Sequence, residues 1–361
     1  MQEKVYLYYN IEERYFVKLE NFYNTNKEEY NGDGTGNFNT IVGAILAAPD
    51  HSVKPFFIKI KKGMYREYIR VDKKKTNIFL IRDGMDTTII IGNRSFIDGN
   101  KTYDTATVGV LGDGFTAQDL TFRNNAGPIK HQAVALRVEA DLASFYRCRF
   151  DGYQDTLYVK RQHQFYRDCE IYGTIDVICG DAAALFQNCL IVARVPLAKQ
   201  YNTITAQKRE FEDVPTGIVL QNCPINATRD NFTTYLGRPW GIFSRTVIME
   251  SYIGNLIDPR GWVEWIESAN KFVSRRPYYL EYKNRGPGAV IKGRVTWASV
   301  TSDPDIASKF TVRNFINGGS VNDSSQVSGP FIIAEVEPFA QKNLFASKYL
   351  IAFVASSIAP S

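Results

Sequence analysis

The sequence predicts an all-β protein, a right-handed parallel β-helix, and three observations predict it. First, segments of one form recur from about residue 105: Phe115 to Phe122, Ala143 to Phe150, Gln164 to Ile171, Ala184 to Ile191 and Gly217 to Ile225. Each has two or three apolar residues, a polar pair, a small or cysteine residue, then alternating apolar positions. Second, anchors fall at Asp119, Cys148, Cys169, Cys189 and Cys223, giving steps of 29, 21, 20 and 34 residues. Third, turn signals separate the segments and no helical period runs between them. A short strand of this kind cannot bury its apolar face alone and does so by stacking on its neighbours. Parallel connections within one sheet are almost always right-handed, so the coils are expected to wind in that sense, with loops of variable length on one face.

The remaining elements follow in chain order. Residues 1–30 are polar, rich in Tyr and Asn, and without a clear period, so they are read as an appendage. The turn cluster Gly32 to Asn37 resembles a phosphate loop superficially, but no strand precedes it and its glycine spacing is wrong. It is expected to lead into a short helix, Thr40 to Ala48. Apolar β-rich runs come next, at Phe56 to Ile60 and Asn77 to Ile81. The solenoid is therefore assigned to 31–320, and 321–361 to a divergent tail.

Bulk composition sets limits. With 361 residues, 44% hydrophobic and 22% charged, the chain can bury a large core. A net charge of +5 is too mild and too scattered to indicate nucleic acid, although Lys59 to Lys75 is locally basic. A weakly basic surface suits a polyanionic substrate equally well. The five cysteines form no CxxC pair and no zinc pattern. Four of them recur at one place in the repeat, which reads first as an apolar core ladder; a disulfide between neighbouring coils stays open. Residues 344–360 are apolar, but Lys348 and the short length argue against a membrane span. Sequons at Asn93, Asn100, Asn226, Asn231 and Asn322 suit an exported protein, whereas Met1 to Val5 show no basic-then-apolar signal pattern.

Two aspartates carry the chemistry. Asp155 lies in Gly152-Tyr153-Gln154-Asp155-Thr156 and Asp176 in Gly173-Thr174-Ile175-Asp176, each seven residues after its cysteine anchor. On stacked coils they face each other at about 4.8 Å, the spacing of adjacent strands. Like charges so close divide the roles: one carboxylate stays ionised and its neighbour keeps a proton. Taken singly, an Asp after Gly is most often a turn residue; the equal offsets lift the pair above that. Arg238, in the Gly/Pro-flanked Leu236-Gly237-Arg238-Pro239-Trp240, suits the task of holding one carboxylate charged, although a lone Arg-Pro is usually a surface loop. Gln132 and Gln154 supply neutral amide donors of the kind that stabilise an oxyanion. Trp240, Trp262 and Tyr153 offer flat faces for sugar rings. No Gly-x-Ser-x-Gly elbow exists, and His51, His131 and His163 form no metal-ligand spacing. Carboxylates must do the work.

These motifs together resemble the plant-type pectin methylesterases (pectinesterases). The resemblance covers roughly 31–320 and rests on Gly32 to Phe38, Gly63 to Glu67, His131 to Val138, Gly152 to Leu157, Gly173 to Gly180 and Leu236 to Trp240. It implies a single-stranded, pectin-lyase-like solenoid. It implies that Asp176 is the nucleophile on the C6 methyl ester of galacturonate, and Asp155 the acid for departing methanol, then the base for water. Gln132 and Gln154 would stabilise the oxyanion, Arg238 would hold the nucleophile, and Trp240 and Tyr153 would line the cleft. No cofactor or metal is implied. The implied setting is a monomer in the cell wall acting on pectin, with an inhibitor protein as a second partner and neither nucleic acid nor membrane involved. The chain departs from the family at Val177 and Cys179, where aromatics are usual, and after Gly319. The inhibitor-like pro-region of many members is not seen. The two substitutions are expected to weaken substrate contacts, and Cys179 to confer sensitivity to thiol reagents. A catalytically impaired pectin-binding protein of the same fold is the alternative. A pectate lyase or polygalacturonase would need a calcium-binding acidic cluster or another Asp/His signature, and neither is found.

Overall fold

In a computed structural model of the chain, the described residues are 16–19, 38–82, 84–229, 232–265, 276–320 and 332–333. The appendage expected over 1–30 and the tail expected over 321–361 lie outside them, apart from the backbone of Phe16–Leu19 and Ile332–Ile333. The turn cluster at Gly32 to Asn37 and the apolar run 344–360 also lie outside them.

Three parallel sheets enclose the core, one of eleven strands and two of seven among the described residues. One coil runs Ala143–Tyr146, Arg149–Asp151, Leu157–Val159, and the next runs His163–Arg167, Glu170–Gly173, Ile178–Gly180. Each such coil gives its first strand to the eleven-stranded sheet, its second to one seven-stranded sheet and its third to the other. This is the right-handed parallel β-helix that the repeat predicts.

Each repeated segment resolves into two strands joined by a corner of two or three residues, and one residue makes the turn. That residue is left-handed in coil after coil: Asp119, Arg147, Asp168, Asn188 and Asn222 all have φ between 49° and 60°. The register corrects one anchor. Arg149 pairs with Thr121, so Leu120 rather than Asp119 stacks on Cys148, and the first step is 28 residues, not 29. The anchor faces inward, where a carboxylate would be desolvated without a partner. Asp119 instead stands at the corner and accepts two 2.7 Å hydrogen bonds from Arg147.

The cysteine column is an apolar ladder of free thiols. Each Sγ lies against a carbonyl of the preceding coil: Cys148 on Ala117, Cys169 on Phe145, Cys189 on Tyr166 and Cys223 on Phe186, at 3.4–3.5 Å. Aromatic rings form a second column beside it. Phe145, Tyr166 and Phe186 stack with centroids 4.8 and 4.4 Å apart and planes within 10°. In-register coils impose this, since one side chain lies directly over its equivalent at strand spacing.

The predicted helix is observed at Ile41–Ala47, with Thr40 as N-cap accepting from Gly43 N–H. Its Ile41, Ala44 and Ile45 join the solenoid core. Glu67 accepts from the N–H groups of Ile41 and Val42, both at 3.0 Å, and so satisfies two donors that the first turn leaves open. At the other end Lys75, buried despite its place in the basic run, donates to the carbonyls of Leu46 and Ala48 and pairs with Asp50 at 2.8 Å. Near the far end, Ala307, Phe310, Val312 and Ile316 pack on the outer face of the eleven-stranded sheet in a second apolar cluster.

Cutting the aromatic column has a defined cost. Phe186→Ala removes a fully buried ring between two coils and is expected to destabilise the fold by about 3–5 kcal/mol. Urea unfolding followed by tyrosine and tryptophan fluorescence measures it; a loss under about 1 kcal/mol would mean the column collapses to fill the gap.

Candidate active site

The loops joining second to third strands open on one side of the solenoid, and the two aspartates stand at the ends of two such loops. Leu157 pairs with Ile178, so Asp155 and Asp176, each two residues earlier, occupy equivalent positions on adjacent coils. Asp155 N–H donates to Ile175 O at 3.0 Å, and both aspartates are left-handed, with φ of 59° and 53°. This non-glycine conformation is sparsely populated, and repeating it turns both carboxylates the same way. Gly173 is the residue that lets the coils close here: a Cβ on it would lie 2.8 Å from Thr156 Oγ1 and 2.9 Å from Tyr153 O.

Asp176 is 4% exposed and gripped from two sides. Arg238 donates from Nε to Oδ1 at 2.8 Å and from Nη2 to Oδ2 at 2.6 Å, a bidentate fork. The hydroxyl of Thr203 donates to Oδ1 at 2.6 Å and accepts from Asp176 N–H at 2.8 Å. Burial works against the Arg238 charge, and the Asp176 carboxylate more than offsets it, so the guanidinium holds its proton above its ordinary range. Asp155 is also buried, at 8% exposure. Burial first, and the Asp176 charge second, push its pKa well above the ordinary 3.8, with Arg238 opposing. The pair is thus unequal: a carboxylate gripped by an arginine beside one whose neutral form is favoured.

Gln132 and Gln154 stand side by side on neighbouring coils, joined by a parallel bridge. The Gln132 side-chain Oε1 is buried and accepts no hydrogen bond, leaving amide polarity to be met by something else. Trp240 lies in a line of aromatic faces, 6.2 Å from Tyr158 and 6.2 Å from Trp265, nearly parallel to the latter at 15°. Arg238 packs 4.3 Å over the Trp265 ring and Lys208 4.4 Å over Trp240.

Several sequence expectations need correction. Trp262 is no sugar platform: it is fully buried and its indole N–H donates to Glu281 at 3.3 Å. The aromatic partner of Trp240 is the half-buried Trp265, three residues on. The Tyr153 ring carries the Arg194 guanidinium at 4.9 Å. Val177 is fully buried within the solenoid core, so its substitution alters packing and not a groove contact. Cys179 faces outward beside Tyr158 in the register but is only 2% exposed. Burial, with the neighbouring Asp155 and Asp176 adding to it, raises its thiol pKa well above 9.0. A thiol held protonated and covered is not reactive. Thr203, Tyr158 and Trp265 escaped the sequence reading, because each is brought to the site by coil stacking and not by a local motif.

Residues 30–319 match the Pectinesterase family. The chain belongs to the pectinesterase family. It is 52% identical over 295 residues to pectinesterase/pectinesterase inhibitor PPE8B of Prunus persica, covering 79% of this chain and 56% of that protein. It is 50% identical over 295 residues to pectinesterase/pectinesterase inhibitor 18 of Arabidopsis thaliana, covering 80% and 52%. This family member therefore spans about half the length of the curated relatives it matches. Among solved structures, the pectin methylesterase from carrot superposes with a TM-score of 0.78 and 43% identity, covering 87% of this chain and 95% of that one. Pectin methylesterase PemA from Erwinia chrysanthemi gives 0.70 and 26%, covering 83% and 96%.

Two outcomes are expected of this pectinesterase-family site. A raised Asp155 pKa means that the folded state binds a proton the unfolded state releases, so stability falls as pH rises above the ordinary carboxylate value. Asp155→Asn removes that penalty: its melting temperature should exceed the parent's at roughly pH 7, by a margin that shrinks toward roughly pH 4. A margin independent of pH would contradict the shift. Iodoacetamide on the native protein should leave Cys179 unlabelled by mass spectrometry; labelling under native conditions would show that the cover opens.

Proposed function

We propose that this chain is a pectin methylesterase, hydrolysing the C6 methyl esters of homogalacturonan to release methanol and pectate. The observation that carries the reading is the bidentate Arg238–Asp176 pair set beside a buried Asp155 whose pKa is pushed up by burial and by the Asp176 charge. An Asp176 oxygen attacks the ester carbonyl carbon. The carbonyl oxygen takes the developing negative charge, and the amide N–H groups of Gln132 and Gln154 stabilise it. As the tetrahedral centre collapses, the methoxy oxygen leaves with the Asp155 proton as methanol. Asp155, now a carboxylate, takes a proton from water. The hydroxide adds to the acyl carbon, and Asp176 leaves as a carboxylate, which returns both groups to their starting states. Trp240 and Trp265 offer flat faces to the sugar rings, with Lys208 adding a positive charge at the same face.

The catalytic unit in this reading is 31–320, with 1–30 and 321–361 as divergent flanking segments. It works in the cell wall as a monomer, on pectin, and an inhibitor protein of the kind named in its relatives is a second partner. No helix among the described residues is long and apolar enough to cross a membrane.

Methanol release from highly methylated pectin tests the reading. Asp176→Asn should lower kcat by at least about a thousandfold while the protein stays folded; a variant with the parent's rate would remove Asp176 from the mechanism. Thr203→Val takes away one hydrogen bond to a charged group and should cost about ten- to a hundredfold. An unchanged rate would show that Arg238 alone holds the nucleophile.

A further inference from the structure

The turns of Asp155 and Asp176 are tied together by a side chain outside the reacting set, that of Arg194. Asp151, Tyr172 and Val192 form one row across three successive coils. Tyr153, Thr174 and Arg194, each two residues later, are therefore equivalents on those coils. Arg194 starts two coil-steps, about 10 Å, from the turn that carries Gln154 and Asp155. Its side chain runs back along the solenoid to that turn. Nη1 donates to the carbonyl of Gly152 at 3.0 Å, and Nη2 pairs with Asp151 Oδ1 at 2.5 Å. The guanidinium lies 5.5 Å from the Tyr172 ring on the coil between and 4.9 Å from Tyr153 on the far one.

The main chain of Arg194 belongs to the other side of the site. Its N–H donates at 2.7 Å to the carbonyl of Gly173, the residue that opens the turn of Asp176. Its carbonyl accepts from Asn202 Nδ2 at 2.7 Å, and the next residue, Thr203, is the one that grips Asp176. One residue thus joins the two turns, with its backbone on the side of the nucleophile and its guanidinium on the side of the acid. The far anchor is itself fixed. Asp151 is 7% exposed, and its Oδ2 accepts from Arg123 Nε at 2.7 Å. Arg123, Asp151 and Arg194 form a strap over four successive coils. The turn at its end carries strain: Asp155 sits at φ 59°, a conformation that a non-glycine residue seldom takes.

We propose that Arg194 is a positioning residue for the ester hydrolysis, fixing the turn that bears Gln154 and Asp155 at its working distance from Asp176. The inference rests on the esterase reading above and adds to it a residue that acts through others. Acid, oxyanion donor and nucleophile converge on one carbonyl group, and a misplacement of about 1 Å among them costs up to about a hundredfold in rate. A fork that meets a carboxylate and a carbonyl at once restrains direction as well as distance, which a single ammonium does not. The guanidinium is engaged by protein partners on both sides. Its loss therefore falls on kcat and not on KM.

The test compares Arg194→Gln, Arg194→Lys and the control Arg149→Gln, by methanol release from highly methylated pectin and by melting temperature. Arg149 lies on the same sheet and makes two 2.7 Å ion pairs, but with Glu170 and Asp86 instead of the turn. Arg194→Gln should lower kcat by about ten- to a hundredfold with KM within about twofold of the parent's. Arg149→Gln should keep the parent's kcat. Arg194→Lys retains the charge but not the fork, and its kcat should fall between those of the parent and Arg194→Gln. A second readout needs no turnover. With the turn released, Asp155 gains contact with water, so the melting-temperature margin of Asp155→Asn at roughly pH 7 should shrink when Arg194→Gln is present in both proteins. Arg194→Lys at the parent's kcat would overturn the proposal, and so would an Arg194→Gln loss no larger than that of Arg149→Gln or confined to KM. An unchanged margin would overturn it too. Failure of the esterase reading looks different: the parent then releases no methanol, while a smaller margin in the Arg194→Gln background still supports the strap on the Asp155 turn.

Discussion

In-register stacking of parallel coils is the constraint on which everything else in this protein depends. Each coil repeats the backbone path of the one before, so a residue's neighbours across the sheet are its own equivalents at strand spacing. Inside, that rule turns sequence repeats into columns: thiols on carbonyls, and Phe145, Tyr166 and Phe186 ring on ring. Outside, it lays Arg70, Arg137, Tyr158 and Cys179 along one row of one groove.

The same rule places Asp155 and Asp176 together where neither would be tolerated alone without compensation. Burying two carboxylates side by side is unfavourable through desolvation and through repulsion. The structure divides the problem. Arg238 and Thr203 satisfy Asp176, while burial and the Asp176 charge push the Asp155 pKa up and so favour its neutral form. Stability thus favours an unequal pair, and an unequal pair is what the proposed acyl transfer to water requires. Repetition of the left-handed conformation at both residues is the local strain that this arrangement entails.

Departures from the family at Val177 and Cys179 look serious in one dimension and mild in three. Val177 is absorbed into the core and Cys179 is covered, so the groove keeps its aromatic line through Tyr158, Trp240 and Trp265. What a solenoid tolerates is set by the side of the sheet on which a residue falls. A change of one position along a strand moves a side chain from solvent to core.

Much of this was legible in the sequence, because a repeat fold writes its long-range contacts as local similarity. Equal offsets from Cys148 to Asp155 and from Cys169 to Asp176 amount to a statement that the two aspartates touch the same groove, and the register agrees. Helix Ile41–Ala47, the strand runs and the cysteine ladder were readable from period, capping and turn residues alone. What only the tertiary structure decided lies where chain distance and space part company. Thr203 reaches Asp176 across 27 residues and Arg238 across 62, and loop length between coils carries no code for such contacts. The anchor at Leu120 instead of Asp119 turned on a single residue of register, and the choice of Trp265 over Trp262 on three. Register is set by which side chain the packed core will accept, and that is a property of neighbouring coils together, not of any one segment.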